Sequence, residues 1–115
     1  MNIVITGGAG FIGSNLTKYL INNTDSNILV IDKLTYAGNK LSLISLENND
    51  RYSFVNADIV DKKRIKEIFN NFKPSHIMHL AAESHVDRSI DSSKEFVNTN
   101  IIGTINLLEC SKEYI

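Results

Sequence analysis

Residues 7 to 13 read Gly-Gly-Ala-Gly-Phe-Ile-Gly, a stretch suited to holding an anion. It satisfies G-x-G-x-x-G through Gly8, Gly10 and Gly13, and G-x-x-G-x-x-G through Gly7, Gly10 and Gly13. Glycine allows positive φ in a tight turn and lets main chain approach a pyrophosphate with no Cβ in the way. A helix opening at the turn would add free N–H groups and the positive end of its dipole. Asp32 follows about twenty residues beyond Gly13, the separation at which an acid can accept hydrogen bonds from both hydroxyls of an adenosine ribose. A carboxylate there repels a 2′-phosphate, which favours NAD over NADP, although the neighbouring Lys33 softens that exclusion. Any tight strand–helix turn favours glycine, and an acid after a strand can simply cap a turn. The two signals in register point to a nucleotide.

Other residues have chemistry to offer but less context. Tyr36 and Lys40 stand four apart, the spacing of an acid–base pair in many nicotinamide enzymes. His76 and His79 lie three apart within an apolar run, so on a strand they point to opposite faces and make a poor metal pair. They read as packed or hydrogen-bonded core residues, and no metal is expected. His85 sits in a polar loop with Ser84, Asp87 and Arg88, which composition alone reads equally as solvated loop or substrate site. Cys110 is the single cysteine, so no internal disulfide can form, and a small residue on a helix is its simplest reading.

The elements needed to position these groups are legible as four apolar runs alternating with longer periodic segments. Ile3–Ile5 stops at Thr6-Gly7-Gly8, Ile28–Ile31 at Asp32, Tyr52–Val55 near Asn56 to Asp58, and His76–Leu80 at Ala81-Ala82. The first two runs do not alternate with polar residues, as suits parallel strands covered on both faces. Ile12, Leu16, Tyr19 and Leu20 follow the glycines at helical spacing. Ile65, Ile68, Phe69 and Phe72 form one stripe on a charged segment that Lys73-Pro74 ends. Ser92 with Glu95 makes a capping box for a helix running to the C-terminus, and Leu41, Leu43, Ile44 and Leu46 suggest a less regular one. This alternation predicts a three-layer α/β/α, Rossmann-type doubly wound parallel sheet. Right-handed crossovers give the partial strand order 3-2-1-4. The glycine turn, Asp32, Asp58 and the segment from Ala81 to His85 then all lie at carboxyl ends of strands, where open α/β sheets bind ligands.

Composition excludes several classes. The 115 residues are 43% hydrophobic and 22% charged, with a formal net charge of −1. There is no field to gather nucleic acid or an anionic membrane, and no apolar run nears the roughly 20 residues of a membrane span. With no secretory pattern after Met1, a cytoplasmic, single-domain chain is expected.

With TGGAGFIGS, IDKLTYAGN and HLAAESHVDRSI in that order, the chain resembles the dTDP-glucose 4,6-dehydratases of the extended short-chain dehydrogenase/reductase family. The first motif is shared with sugar-nucleotide epimerases, whereas DKLTYAGN and AAESHVDRS are more specific, and the resemblance runs over the whole chain. It implies tightly held NAD. Gly7, Gly10, Phe11, Ile12 and Gly13 would meet its phosphates, and Asp32, Lys33, Leu34 and Thr35 the adenosine ribose. Asp58 and Ile59 would border the adenine, and Leu80, Ala81, Ala82, Glu83 and Ser84 would run beside the nicotinamide half. Thr99 would also touch NAD, while Ser84 and His85 would meet the sugar nucleotide. Such enzymes oxidise C4 of the glucose, lose water across C5 and C6, and return the hydride to C6. The family's catalytic Tyr-x-x-x-Lys and sugar domain fall after the matched region, so residues 1–115 are expected to be the N-terminal part of a longer dehydratase and inactive alone. Tyr36 and Lys40 follow the second strand, two inter-strand steps or roughly 10 Å from the nicotinamide end, too far for proton transfer. The alternatives are part of another NAD-dependent sugar-nucleotide epimerase or decarboxylase, and a non-catalytic nucleotide-binding module that self-associates through the exposed fourth strand or the last helix.

Overall fold

The structure, a computed structural model, describes residues 1–33, 40–81 and 98–114, without the side chains of Lys40, Asn98 and Thr99. Four strands, β1 (Asn2–Thr6), β2 (Asn27–Asp32), β3 (Tyr52–Asn56) and β4 (His76–His79), form one sheet in the order β3-β2-β1-β4. Every pairing is parallel, with Ile3 opposite Ile28 and His76, and Ile28 opposite Tyr52. The expected order is thus observed. So is the two-sided burial of the central pair: residues 3–6 of β1 and 28–32 of β2 are all buried.

Alternate residues of these strands feed two separate cores. Ile3, Ile5, Ile28 and Val30 face a cluster with Ile21 of α1 (Phe11–Asn23) and with Leu43 and Leu46 of a 3₁₀ helix (Lys40–Leu46). Val4, Leu29 and Ile31 face the other, with Ile65, Ile68 and Phe69 of α2 (Lys62–Phe72) and Leu107 and Cys110 of α3 (Thr104–Ser111). Burying each such aliphatic or aromatic side chain contributes about 1.5–3 kcal/mol before entropy is counted. Cys110 is a buried packing residue, and burial pushes its thiol pKa up.

The helices are set by local chemistry. Asp61 caps α2 by accepting from the Arg64 N–H at 3.2 Å, and Lys73, at φ 56°, ends it just before the buried Pro74. The apolar stripe of α2 is the buried face, as its spacing predicts. On α1 the expected set divides, with Leu16 and Leu20 packed partly buried against the core. Ile12 and Tyr19 are exposed, and Gly13, Ser14, Thr17 and Ile21 face the sheet. A small residue is required where the helix starts, because a Cβ on Gly13 would come within 2.2 Å of Gly7 O. The C-terminal end of α1 is held by Arg51, whose guanidinium donates to the carbonyls of Ile21, Thr24 and Ser26 at 2.9, 2.8 and 3.2 Å.

Two further expectations are modified. The segment from Leu41 is a 3₁₀ helix, and the last helix begins as a π-helical turn (Asn98–Gly103) before becoming α3. The capping box Ser92/Glu95 lies outside the described residues. His76 and His79 keep much of their surface exposed, since β4 stands at an edge of the described sheet. Both are nevertheless hydrogen-bonded, and the His79 ring is partly shielded between Thr6 and Thr104.

Candidate functional site

At the carboxyl end of β1 the chain reverses on Gly7, whose φ of 70° only glycine adopts without strain. Its N–H donates to Ile31 O at 2.9 Å, binding the turn to β2, and Gly10 N–H closes it onto Gly7 O at 3.2 Å. No side chain fits inside. A Cβ on Gly7 would lie 2.7 Å from Ala81 N, and one on Gly13 only 2.2 Å from Gly7 O. The turn, the start of α1 and the end of β4 are therefore in direct main-chain contact.

From that turn α1 begins with Gly10 as an extended N-cap that offers no side-chain acceptor. The first-turn N–H groups and the positive helix end are left for an outside anion. Phe11 and Ile12 stand over this end, Phe11 with 83% of its surface exposed. The neighbouring strand supplies the carboxylate. Asp32 is only 8% exposed, and its Oδ2 accepts from Ala9 N–H at 3.0 Å. Turn and acid thus hold each other.

Asp58 lies beyond β3 on the same rim. One of its carboxylate oxygens accepts from Val60 N–H at 3.0 Å, and the other stands 3.6 Å from the Lys33 ammonium. Both side chains are partly exposed, so this pair sets orientation more than stability. Ile59 is buried in the α2–α3 core, and its carbonyl, with that of Val60, accepts from the Asn106 amide at 3.0 and 2.9 Å. Its main chain, not its side chain, is what it can present at the rim. Leu80 and Ala81 lie against the glycine turn, their N–H groups donating to Thr6 Oγ1 at 3.1 Å.

The structure therefore brings Gly7, Gly10, Phe11, Ile12, Gly13, Asp32, Lys33, Asp58, Ile59, Leu80 and Ala81 to one rim of the sheet. Leu34, Thr35, Tyr36, Ala82, Glu83, Ser84, His85 and the side chains of Lys40 and Thr99 lie outside the described residues. Sequence reasoning missed Thr6, Ala9, His79, Thr104 and Asn106, which hold the rim in shape. Asn106 alone left a sign, as an amide on the apolar face of a helix. No group of three or more metal-ligating side chains occurs among the described residues.

A parallel doubly wound sheet, an uncapped glycine turn at its centre and a buried acid on the adjacent strand define a Rossmann-type nucleotide-binding unit. The family model for GDP-mannose 4,6 dehydratase matches residues 4–115, and the chain belongs to that family. It is 55% identical over 114 residues to the dTDP-glucose 4,6-dehydratase of Haemophilus influenzae, covering 99% of this chain and 34% of the relative. Among solved structures it is similar to DesIV, a dTDP-glucose 4,6-dehydratase from Streptomyces venezuelae with NAD bound. The TM-score is 0.90 and the identity 39%, over 99% of this chain and 36% of that one. A UDP-glucose 4-epimerase from Thermotoga maritima is also similar, with TM-score 0.88 and 38% identity over 99% of this chain and 35% of that one. The resemblance to dTDP-glucose 4,6-dehydratases is borne out, and the chain spans about a third of the length of these relatives.

Proposed function

We propose that these 115 residues form the NAD-binding part of a cytoplasmic dTDP-glucose 4,6-dehydratase. The observation that carries this is the meeting of the uncapped α1 N-terminus with the buried Asp32 carboxylate through the Ala9 hydrogen bond. The pair fits NAD. The main-chain cradle has no room for a Cβ and suits a pyrophosphate, while the Asp32 carboxylate and main chain nearby suit ribose hydroxyls. The Lys33–Asp58 ion pair turns the lysine toward a carboxylate, which supports NAD over NADP. Leu34, Thr35 and Ala82 to Ser84 would extend the cofactor contacts, with Ser84 and His85 reaching the dTDP-sugar.

When bound, NAD would take a hydride from the sugar and return it. This chain's own residues would bind and orient, since the pair Tyr36/Lys40 follows β2, two strands from β4. Proton transfer would belong to a Tyr-x-x-x-Lys elsewhere in a longer protein, so the 115 residues alone should not turn over dTDP-glucose. Turnover by a preparation free of longer enzyme would overturn that. The direct test of binding is calorimetry. NAD should bind more tightly than NADP, and Asp32→Ala should weaken NAD by at least about tenfold, the scale of losing hydrogen bonds to a charged group. Equal binding by the variant would refute the ribose contact.

A second reading is favoured by the structural similarity to the UDP-glucose 4-epimerase, which shares the same unit. Reading the sequence beyond this stretch separates the two. Self-association is also proposed, because Ile101, Ile105 and Leu108 are exposed along the last helix and β4 lies at a sheet edge among the described residues. A monomeric mass at high concentration by light scattering would count against it.

A further inference from the structure

His79 occupies the last position of β4, between β1 and α3, and both its ring nitrogens have hydroxyl partners. Nδ1 lies 2.6 Å from Thr6 Oγ1, and Nε2 lies 2.9 Å from Thr104 Oγ1. The partners decide which way the protons point. Thr6 Oγ1 accepts from Ala81 N–H and shares Leu80 N–H with the Thr6 carbonyl, which takes it at 3.0 Å. The Thr104 hydroxyl spends its proton on Asn100 O and can only accept from Nε2, so the Thr6 proton goes to Nδ1. Nδ1 is then an acceptor, and Nε2 carries the ring proton and donates to Thr104 Oγ1. The Thr104 hydroxyl in turn donates to Asn100 O at 2.9 Å, one turn back in the π-helical segment. Each hydroxyl proton has one destination.

We propose that Thr6, His79 and Thr104 form a directed hydrogen-bond relay, with neutral Nε2-protonated His79 as a positioning residue. The relay fixes the Leu80–Ala81 main chain against the glycine turn and ties that rim to the last helix. Its consequence for the cofactor rests on the NAD reading above; its existence does not. Gly7 has no space beside Ala81 N and Leu80 C, so any shift of residues 80–81 is passed directly to the turn.

The relay resists protonation. An imidazolium would turn Nδ1 from acceptor to donor, leaving the Thr6 hydroxyl proton without its partner and setting a ring N–H against the Ala81 and shared Leu80 N–H groups at Thr6 Oγ1. Burial independently holds the His79 pKa below its ordinary value and is the only cause of that shift. β1 and α3 present hydroxyls to the ring, and His76 lies three residues back on the other face of β4, bonded to Ser75. No charge among the described residues offsets the burial.

Two measurements test the relay, both on this chain. Nitrogen-15 NMR of His79 should show the Nε2–H tautomer, persisting as neutral ring below pH 6.5, the ordinary histidine value. The Nδ1–H tautomer, or titration at or above that value, would overturn the proposal. NAD affinity should fall roughly tenfold in Thr6→Val and stay near wild type in Thr6→Ser, which restores the hydroxyl; tenfold corresponds to about 1.4 kcal/mol. Should Thr6→Val fail to fold, Thr104→Val cuts the relay at its outer end. It should speed amide exchange at Leu80 and Ala81 and lower NAD affinity by a smaller factor. Unchanged affinity and exchange in these variants would refute the positioning role. Failure of the wild-type chain to bind NAD would refute the functional reading instead, and the tautomer would still decide the relay.

Discussion

The two sides of the rim are held in opposite ways. At the β1–α1 turn, position is enforced by missing atoms: Gly7 and Gly13 leave gaps that main chain fills to within 2.2–2.9 Å of where a Cβ would stand. At the end of β4, position is enforced by wiring, through Thr6, His79 and Thr104. Steric enforcement tolerates no substitution and ignores pH. Wired enforcement survives any side chain that restores the bond, and responds to protonation. A ligand spanning both would meet one wall that cannot adjust and one that can.

The difference can be broken or sharpened by experiment. The largest effect should come from Gly13→Ala, whose methyl would collide with main chain and cannot be relieved by a rotamer change. We expect a loss of about 3 kcal/mol or more in urea unfolding, at the top of the range for overpacking. A loss below about 1 kcal/mol would show that the turn yields. Thr6→Val should cost about 2 kcal/mol, because it leaves the Ala81 N–H and a ring nitrogen without their Thr6 partner, while Leu80 N–H keeps the Thr6 carbonyl. Thr6→Ser should recover most of that, whereas no alternative side chain should rescue Gly13.

A smaller effect separates the two sides by pH. His79 is held neutral in the folded chain, with its pKa lowered by burial, while the unfolded chain takes up a proton near pH 6.5. Between the lowered value and pH 6.5 the unfolded state binds more protons, so stability falls as pH drops through that window. His79→Gln should flatten this fall in chemical denaturation at a series of pH values, and Gly13→Ala should leave its shape unchanged. The smallest effect belongs to the Lys62–Glu109 ion pair joining α2 to α3. Each group shifts the other's pKa, Lys62 up and Glu109 down, mainly through their hydrogen bond. Both side chains are about half exposed at the surface, where water screens the pair, so Lys62→Met should leave the urea midpoint unchanged.

The same contrast explains what could be read from sequence. The four strands were legible because parallel strands covered on both faces give continuous apolar runs, and the crossover rule then orders them. The glycine turn and Asp32 were legible because steric demands restrict a position to one residue type at a fixed spacing. The α1 face was legible in Leu16 and Leu20 but not in Ile12 and Tyr19, because Gly13, Ser14 and Thr17 take the positions packed closest. His79 was read as a packed or hydrogen-bonded residue, and the hydrogen bonds are there, but not the core position. The relay was invisible because residues 6, 79 and 104 have no shared spacing, and threonine and histidine occur in many roles. Asp32 was read as a ligand group, but its bond to Ala9 N–H shows that it also braces the turn.

Arg51 gives the first helix a dependence that its local sequence does not reveal. The carbonyls it satisfies at Ile21, Thr24 and Ser26 lie 25 to 30 residues earlier in the chain. Local bonds from Thr24 to Leu20 O and from Asn23 to Tyr19 O close the last turn, and Arg51 adds a tie from the start of β3 to the helix end and the loop after it. One side chain thus serves as a clasp between a helix and a strand that do not touch in sequence, and its loss should loosen both at once.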